Sequence, residues 1–414
     1  MVNSNTSLLP MKVLHALSLQ SLGGIECIFE KYLSHAGEDK RLEHHVLLTH
    51  RRVLQRFEDV LRTNAASVHY AKYWHGIKLP RHPDFIRKLH SGQIGRIVQP
   101  DAVLLINTLG NLSLLEAARR SGRHSANIYY ERGEAWIDLP RSKVTRFLAA
   151  VDGVICISHA TRRILELKWG LKENTAKVLY NGFSLASPEY VFAPKDISNR
   201  SVLKLGCAGR FVPLKGMCLA LHALKLLPRN ELSYELHFAG AGPEEERLRA
   251  LASELGLAER VTFHGHVSKM SVFYRDMDVI IIPSIREPLG NVCVEASYFG
   301  CPVVASAVDG IPEAIAHGET GILIRPSLPM TLYSSLGGGC RHLPGWYYDP
   351  STNSLAEPKL ISPEEIAAAI EHLCDSPDDY QKMSAAAHRR IVERHDFEAY
   401  VRGLNDLIVG FIEG

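Results

Sequence analysis

The sequence predicts an α/β protein: two Rossmann-like parallel-sheet domains facing a cleft. Three observations predict it. Strand-like runs such as 279–282 and 101–106 are apolar almost throughout and do not alternate, as strands covered on both faces do. Segments with helical spacing separate those runs. The βα cycle runs twice, broken once in the middle by a stretch with no apolar period.

In the first half, 11–17 reads as a short strand that ends in Ser21-Leu22-Gly23-Gly24, and 25–35 as a helix. Strands follow at 45–49, 67–70 and 101–106, a helix at 112–120 and a strand at 127–130. A strand at 153–157, a helix at 160–169 and a last strand at 177–179 lead to the turn Asn181-Gly182. Residues 184–200 hold Pro188, Pro194, Asp196 and Asn199 and no periodicity. The domain limits are therefore 1–187, a linker at 188–200, and 201–395. In the second half, strands are expected at 203–208, 234–239, 261–263, 279–282 and 302–305. Helices are expected at 217–226, 244–255, 292–298, 363–373, 380–394 and 399–412. Residues 325–362 break the rhythm with Gly337-Gly338-Gly339, repeated prolines and Trp346-Tyr347-Tyr348. A connection that long is functional or mobile, and its aromatics either line a site or fill a groove.

Composition narrows the function. The 414 residues include 22% charged and 46% hydrophobic positions, which is globular and not disordered. No stretch approaches the ~20 apolar residues of a membrane span. The apolar run at 13–19 carries no cleavage signature, so a cytoplasmic location is expected. Eight cysteines without a Cys-x-x-Cys pair read as buried free thiols. The overall charge of +2 hides an asymmetry. Residues 1–190 hold 26 Lys and Arg against 17 Asp and Glu, and the rest hold 21 against 28. The densest basic stretch is 51–96, with ten basic residues against Glu58, Asp59 and Asp84. A basic half favours an anionic partner, although a solvated face without a partner gives the same count.

Two groups of residues in the second half carry chemistry. The loop after the strand at 279–282 holds Glu287, Pro288, Leu289 and Gly290, and a helix can begin at Asn291. First-turn amides at 290–292, at the carboxyl edge of a parallel sheet, suit a phosphate. Glu287 and Glu295 beside such an anion site suit sugar or ribose hydroxyls, although an early Glu also complements a helix dipole. The second group, Gly209-Arg210-Phe211-Val212-Pro213-Leu214-Lys215-Gly216, places two cations where they can converge on a diphosphate. It lacks the Walker spacing.

Weaker signals accompany them. Gly240-Ala241-Gly242 permits close backbone approach, and Gly23-Gly24 opens a helix that can face a phosphate. Glu131, Arg132 and Glu134 follow the strand at 127–130. They are either a site or an internal salt bridge, and Glu131 cannot be told from Glu134 by sequence. His264 and His266 read as loop residues, and no metal-ligand spacing is found.

Taken together, these motifs resemble the retaining glycosyltransferases of family 4, of the bacterial cell-surface polysaccharide type, which have the GT-B fold. The resemblance covers most of the chain and is most specific over 205–325. Glu287 and Glu295 match that family's Glu-x7-Glu motif, whose first Glu contacts the donor sugar and whose second contacts the ribose. Arg210 and Lys215 match its diphosphate-binding cations, and Gly240-Ala241-Gly242-Pro243 its glycine turn. Val267 closes the segment that would hold the nucleobase. The helix at 396–414 looks like the one that crosses back to the first domain.

The resemblance implies retaining sugar transfer from a UDP or GDP sugar, without metal or cofactor. It implies a catalytic set of Glu287, Glu131, Arg210 and Lys215. The implied donor site is Gly23, Gly24, Arg210, Lys215, Gly240, Gly242, Val267, Glu287, Gly290, Asn291, Val292 and Glu295. The first domain would bind the acceptor, a lipid-linked, lipopolysaccharide or exopolysaccharide glycan, at the anionic inner membrane face. No nucleic acid is expected. The chain departs from many relatives by having Tyr130-Glu131-Arg132 and Asn107 where they carry histidines, and by the length of 325–362. Two other readings stay open: a GT-B enzyme with a soluble acceptor, and a non-catalytic module that binds sugar nucleotides. A dinucleotide oxidoreductase would need the third glycine that Gly240-Ala241-Gly242 lacks.

Overall fold

The computed structural model describes residues 9–414 except 22, 81, 121, 123, 184–189 and 229–231. The expected domain limit at 187/188 and Leu22 of the first turn lie outside the described residues. The chain divides into two compact units. The first comprises Met1–Ile157, Ile164–Gly182 and Phe397–Gly414, and the second Ser158–Arg163 and Phe183–Asp396.

The first unit is built on seven strands: β1 (Met11–Leu17), β2 (Leu42–Leu48), β3 (Ser67–Tyr70), β4 (Ala102–Ile106), β5 (Ala126–Glu131), β6 (Gly153–Cys156) and β7 (Lys177–Val178). They form one sheet in the order β3-β2-β1-β4-β5-β6-β7, and every pairing is parallel. The direction of progression reverses between β1 and β4, the point where such sheets open a crevice. Strand β4 is buried at all five positions, which is why it reads as an unbroken apolar run.

The second unit repeats the plan with β8 (Val202–Ala208), β9 (Ser233–Ala239), β10 (Val261–Phe263), β11 (Val279–Ile282), β12 (Val303–Ser306) and β13 (Gly321–Ile324). The order is β10-β9-β8-β11-β12-β13, again all parallel, with its reversal between β8 and β11. Leu205, Phe238, Ile281 and Val304 centre the core on one face, while Ile280, Val303 and Cys293 pack on the other. The eight cysteines form no disulfide among the described residues, and five are buried.

Several helices escaped the periodicity. Gln55–Asn64 buries only Phe57 and Leu61, a stripe too thin to stand out from its charges. Phe85–Val98 buries Ser91, Gly92, Ile94, Gly95 and Val98, so it packs by close approach and not by an apolar stripe. A Cβ on Gly95 would lie 1.9 Å from the Ala117 carbonyl oxygen. Arg141–Leu148 has only Val144 and Phe147 inside. The helix expected at 112–120 shrinks to Glu116–Arg119 because turns occupy the residues before it. Residues 325–362 hold two small antiparallel pairings, Leu328–Pro329 with Lys359–Leu360 and, nested inside it, the hairpin Tyr347–Asp349 with Ser354–Ala356. Tyr347 and Tyr348 are buried, and the buried Tyr333 donates its hydroxyl to the Pro213 carbonyl at 2.6 Å. The aromatics of this segment fill the second unit.

Candidate functional site

The carboxyl edge of the second sheet is a set of interlocked loops. The glycines there make the interlocking possible. Gly240 has φ +143°, and a Cβ on it would lie 1.8 Å from the Gly209 carbonyl oxygen. A Cβ on Gly242 would meet the Phe211 carbonyl oxygen at 2.4 Å. Phe211 N–H donates to Ala241 at 3.0 Å, and Ile285 N–H to Leu214 at 2.9 Å. Gly240 and Gly242, expected to admit a ligand, admit the neighbouring loop instead. Val267 is half-buried against the second face of the core.

Within this frame Glu287 is held by both of its backbone groups. Its N–H donates to Asp309 Oδ2 at 2.9 Å, and its carbonyl accepts from Gly310 N–H at 3.1 Å. The other Asp309 oxygen accepts from Tyr348 N–H at 2.8 Å. Asp309 is buried and in the left-handed region at φ +45°. Sequence reasoning missed it. An Asp followed by Gly reads as an ordinary turn, and nothing local links it to Glu287. The long segment thus props the Glu287 loop through Tyr348 and Asp309.

The Glu287 carboxylate makes an ion pair with Lys215 Nζ, and both side chains are mostly shielded. They line one small pocket with Ser284, Gly290 and Val292. Gly290, at φ +86°, begins the helix Asn291–Tyr298. The positive end of its dipole therefore lies beside the ion pair. Glu295 sits further along the same helix and accepts the Tyr274 hydroxyl at 2.8 Å. Burial, with the Glu295 charge behind it, pushes the Tyr274 phenol well above its usual range. Arg210 is exposed and has no side-chain partner among the described residues. Of the two expected cations, one is thus already neutralised by Glu287 and the other points to solvent.

The first unit separates its two carboxylates. Glu131 was expected to be catalytic, but it is fully buried and its oxygens are engaged by its own loop. Oε1 accepts from the N–H groups of Gly133, Glu134 and Ala135 at 2.6, 2.7 and 3.0 Å, and Oε2 accepts the Tyr129 hydroxyl. Burial pushes its pKa upward against the pull of those bonds. Glu131 therefore anchors the turn, with both of its oxygens already engaged. Arg132 is not its partner. Arg132 donates to Asn181 at 2.9 Å and lies 4.9 Å from the centre of the Tyr130 ring. Glu134 is only half-buried and accepts the Leu109 N–H. Burial pushes it up to about 8, opposed by that bond and helped by the Glu131 charge. Gly23 and Gly24 do open the helix Gly24–Ala36, but Glu26 folds back there. A Cβ on Gly23 would lie 2.7 Å from Glu26 Oε2, so that helix end is complemented from within.

The basic stretch 51–96 does not form one face. Arg56 pairs with Glu30 and Lys88 with Asp84, while Lys72, Lys78 and Arg87 line a crevice. Arg81 lies outside the described residues. No described helix is long and apolar enough to cross a membrane.

Residues 195–336 match the family model described as glycosyl transferases group 1, a span that contains Arg210, Lys215, Glu287 and Glu295. The chain is 30% identical over 285 residues to D-inositol 3-phosphate glycosyltransferase of Acidothermus cellulolyticus, covering 62% of this chain and 60% of that protein. It is 28% identical over 316 residues to the lipopolysaccharide core biosynthesis glycosyltransferase LpsD of Rhizobium meliloti, covering 76% and 83%. The chain spans less than two thirds of the length of the first curated relatives that it matches. A crystal structure of Anabaena HepE in complex with UDP and glucose superposes with a TM-score of 0.71 at 18% identity, covering 97% of this chain and 100% of that one. The fold is that of the two-domain GT-B glycosyltransferases.

Proposed function

We propose that the protein is a retaining glycosyltransferase of family 4 that takes its sugar from a nucleotide diphosphate sugar, with UDP or GDP as the carrier. The observation that carries this reading is the Lys215–Glu287 ion pair at the start of the helix Asn291–Tyr298, inside the segment that matches the family model. A nucleoside diphosphate arriving there brings the charge that Lys215 prefers. Lys215 turns to the diphosphate, Arg210 closes on it from solvent, and Glu287 is released to the sugar hydroxyls. In this reading Glu295, about one turn along the helix, takes the ribose hydroxyls. As the bond to the anomeric carbon breaks, charge builds on the leaving diphosphate. The two cations and the helix start stabilise that charge in place, so the reaction needs no metal ion. The acceptor hydroxyl attacks the face that the diphosphate leaves, and the diphosphate takes its proton, which retains the anomeric configuration.

The acceptor is a lipid-linked or lipopolysaccharide-type glycan at the cytoplasmic membrane face. Two observations support that placement: the basic charge of residues 1–190, and exposed Trp74, Ile77 and Phe85 within the basic stretch. Calorimetry with UDP, GDP, UDP-glucose and a GDP sugar tests the donor, and the proton spectrum of the product tests retention. Binding of none of the four nucleotides would defeat the reading, and an inverted product would defeat the retaining mechanism.

A further inference from the structure

The first unit has a crevice of about 400 Å³ at the carboxyl ends of its strands, lined by the cations Lys72, Lys78, Arg87 and Lys143 with His50, Tyr73, Asn111 and Leu109. His50 follows β2, Lys72 follows β3, Asn111 lies after β4, and Lys143 sits in the helix after β5. Lys78 and Arg87 complete it from the hairpin at 73–78 and from the first turn of Phe85–Val98. The crevice therefore occupies the reversal of strand order, where ligands bind in open sheets. Lys78, Arg87 and Lys143 have no acidic partner among the described residues. The Arg87 Nε is buried without a hydrogen-bond partner, while its Nη2 is tied to the Leu79 carbonyl at 2.9 Å. His50 is held by Ser18 and Thr49 at 3.2 and 3.1 Å and contacts Lys72 Nζ at 3.3 Å. Burial, with Lys72 and Lys78 behind it, lowers the His50 pKa, and its Nε2 faces the Lys72 ammonium. Leu109 also lines the crevice, and its N–H is bonded to the Glu134 carboxylate.

We propose that this crevice is a binding site for a phosphoryl group on a polyol- or saccharide-sized ligand. Several cations and the Asn111 amide around one hollow are what a phosphate's three oxygens take up. A neutral glycan would leave those charges unmatched. Under the transfer reading above, on which this role rests, the phosphoryl group belongs to the acceptor. Two sources share the chemistry: a soluble phosphate ester and a lipid headgroup.

The test is lysine acylation footprinting of the full chain by mass spectrometry, beside calorimetry. The soluble probe is glycerol 3-phosphate against glycerol. The lipid probe is phosphatidylcholine vesicles with and without phosphatidic acid. A phosphoryl ligand should slow acylation of Lys78 and Lys143 by about threefold or more, and the double variant Lys78→Ala/Lys143→Ala should bind it about tenfold more weakly. Protection by glycerol 3-phosphate assigns the site to a soluble ester. Protection only by vesicles containing phosphatidic acid assigns it to a headgroup. Protection by neither overturns the proposal, as does unchanged affinity in the double variant. Binding that disappears in Arg210→Ala/Lys215→Ala and persists in the first-unit variant also overturns it. UDP binding by the same proteins reports the second-unit site alone. Its absence from the native protein would defeat the donor reading and leave the lysine result standing.

Discussion

The carboxyl edges of the two sheets share a topology and are organised in opposite ways. In the second unit the loops lock through backbone contacts at Gly240 and Gly242, and the carboxylate Glu287 is left facing a cation in a pocket. In the first unit the carboxylate Glu131 does the locking itself, buried under three N–H groups and a phenol. The cations there surround an open crevice instead. A loop held by its backbone can offer its side chains to a ligand. A loop held by a side chain has used that side chain up.

The comparison breaks most directly at Glu131. Glu131→Ala strands three backbone donors in the interior and should cost about 3 kcal/mol or more of stability. UDP affinity in the folded fraction should stay unchanged. A stable Glu131→Ala protein that binds UDP and has lost transfer would restore a catalytic role and end the contrast.

Next come Lys215 and Glu287. Lys215→Ala removes a charge-assisted contact of roughly 1.5–3 kcal/mol, which is about 10- to 150-fold in kcat/KM. Glu287→Ala should lower donor turnover by about tenfold or more for the same reason. Because Glu287 neutralises Lys215, that variant should bind free UDP at least as tightly as the native protein. Calorimetry beside a transfer assay measures both. Loss of UDP binding in folded Glu287→Ala would refute this division of labour.

Asp309 should come third. Asp309→Ala leaves the N–H groups of Glu287 and Tyr348 unmatched, at about 2 kcal/mol. As a positioning residue it should lower kcat more than it raises KM. Asp309→Asn, which keeps a carbonyl acceptor, should recover part of the turnover. Equal kinetics in all three proteins would show that the Glu287 loop holds its place without this prop.

Glu134 gives the smallest and most specific effect. Its carboxyl is raised from 4.5 to about 8, so the folded state holds the proton more tightly than the unfolded chain. Stability from this group is full below about pH 4.5 and falls as pH rises toward about 8. Glu134→Gln keeps an acceptor for Leu109 and has no such loss. Native and variant melting temperatures should diverge across that window. Discounted for partial exposure, the gap should reach about 1 kcal/mol. Parallel curves would show that the carboxyl titrates normally.

Much of this was legible in the sequence, and the reason is physical. Double-sided burial writes unbroken apolar runs, so β4 and β11 and the two-sheet plan could be read directly. Proline and glycine around Glu287 mark a loop at a strand end whatever the rest of the chain does. The helices packed through Gly95 or through Phe57 and Leu61 alone left too little apolar periodicity to read. What only the tertiary structure decided is which charge meets which. Glu131 and Glu134 are three residues apart in one charged run, yet one is sealed under backbone donors and the other reaches solvent. Lys215 and Glu287 are 72 residues apart and paired, as are Asp309 and the Glu287 amide at 22. Lys72, Lys78, Arg87 and Lys143 meet only because loops, a hairpin and helices from separate stretches of the chain gather at one edge of the first sheet. Local sequence sets where a loop begins, because backbone sterics are local. The partner of a buried charge is set by whatever the folded chain brings within hydrogen-bond reach.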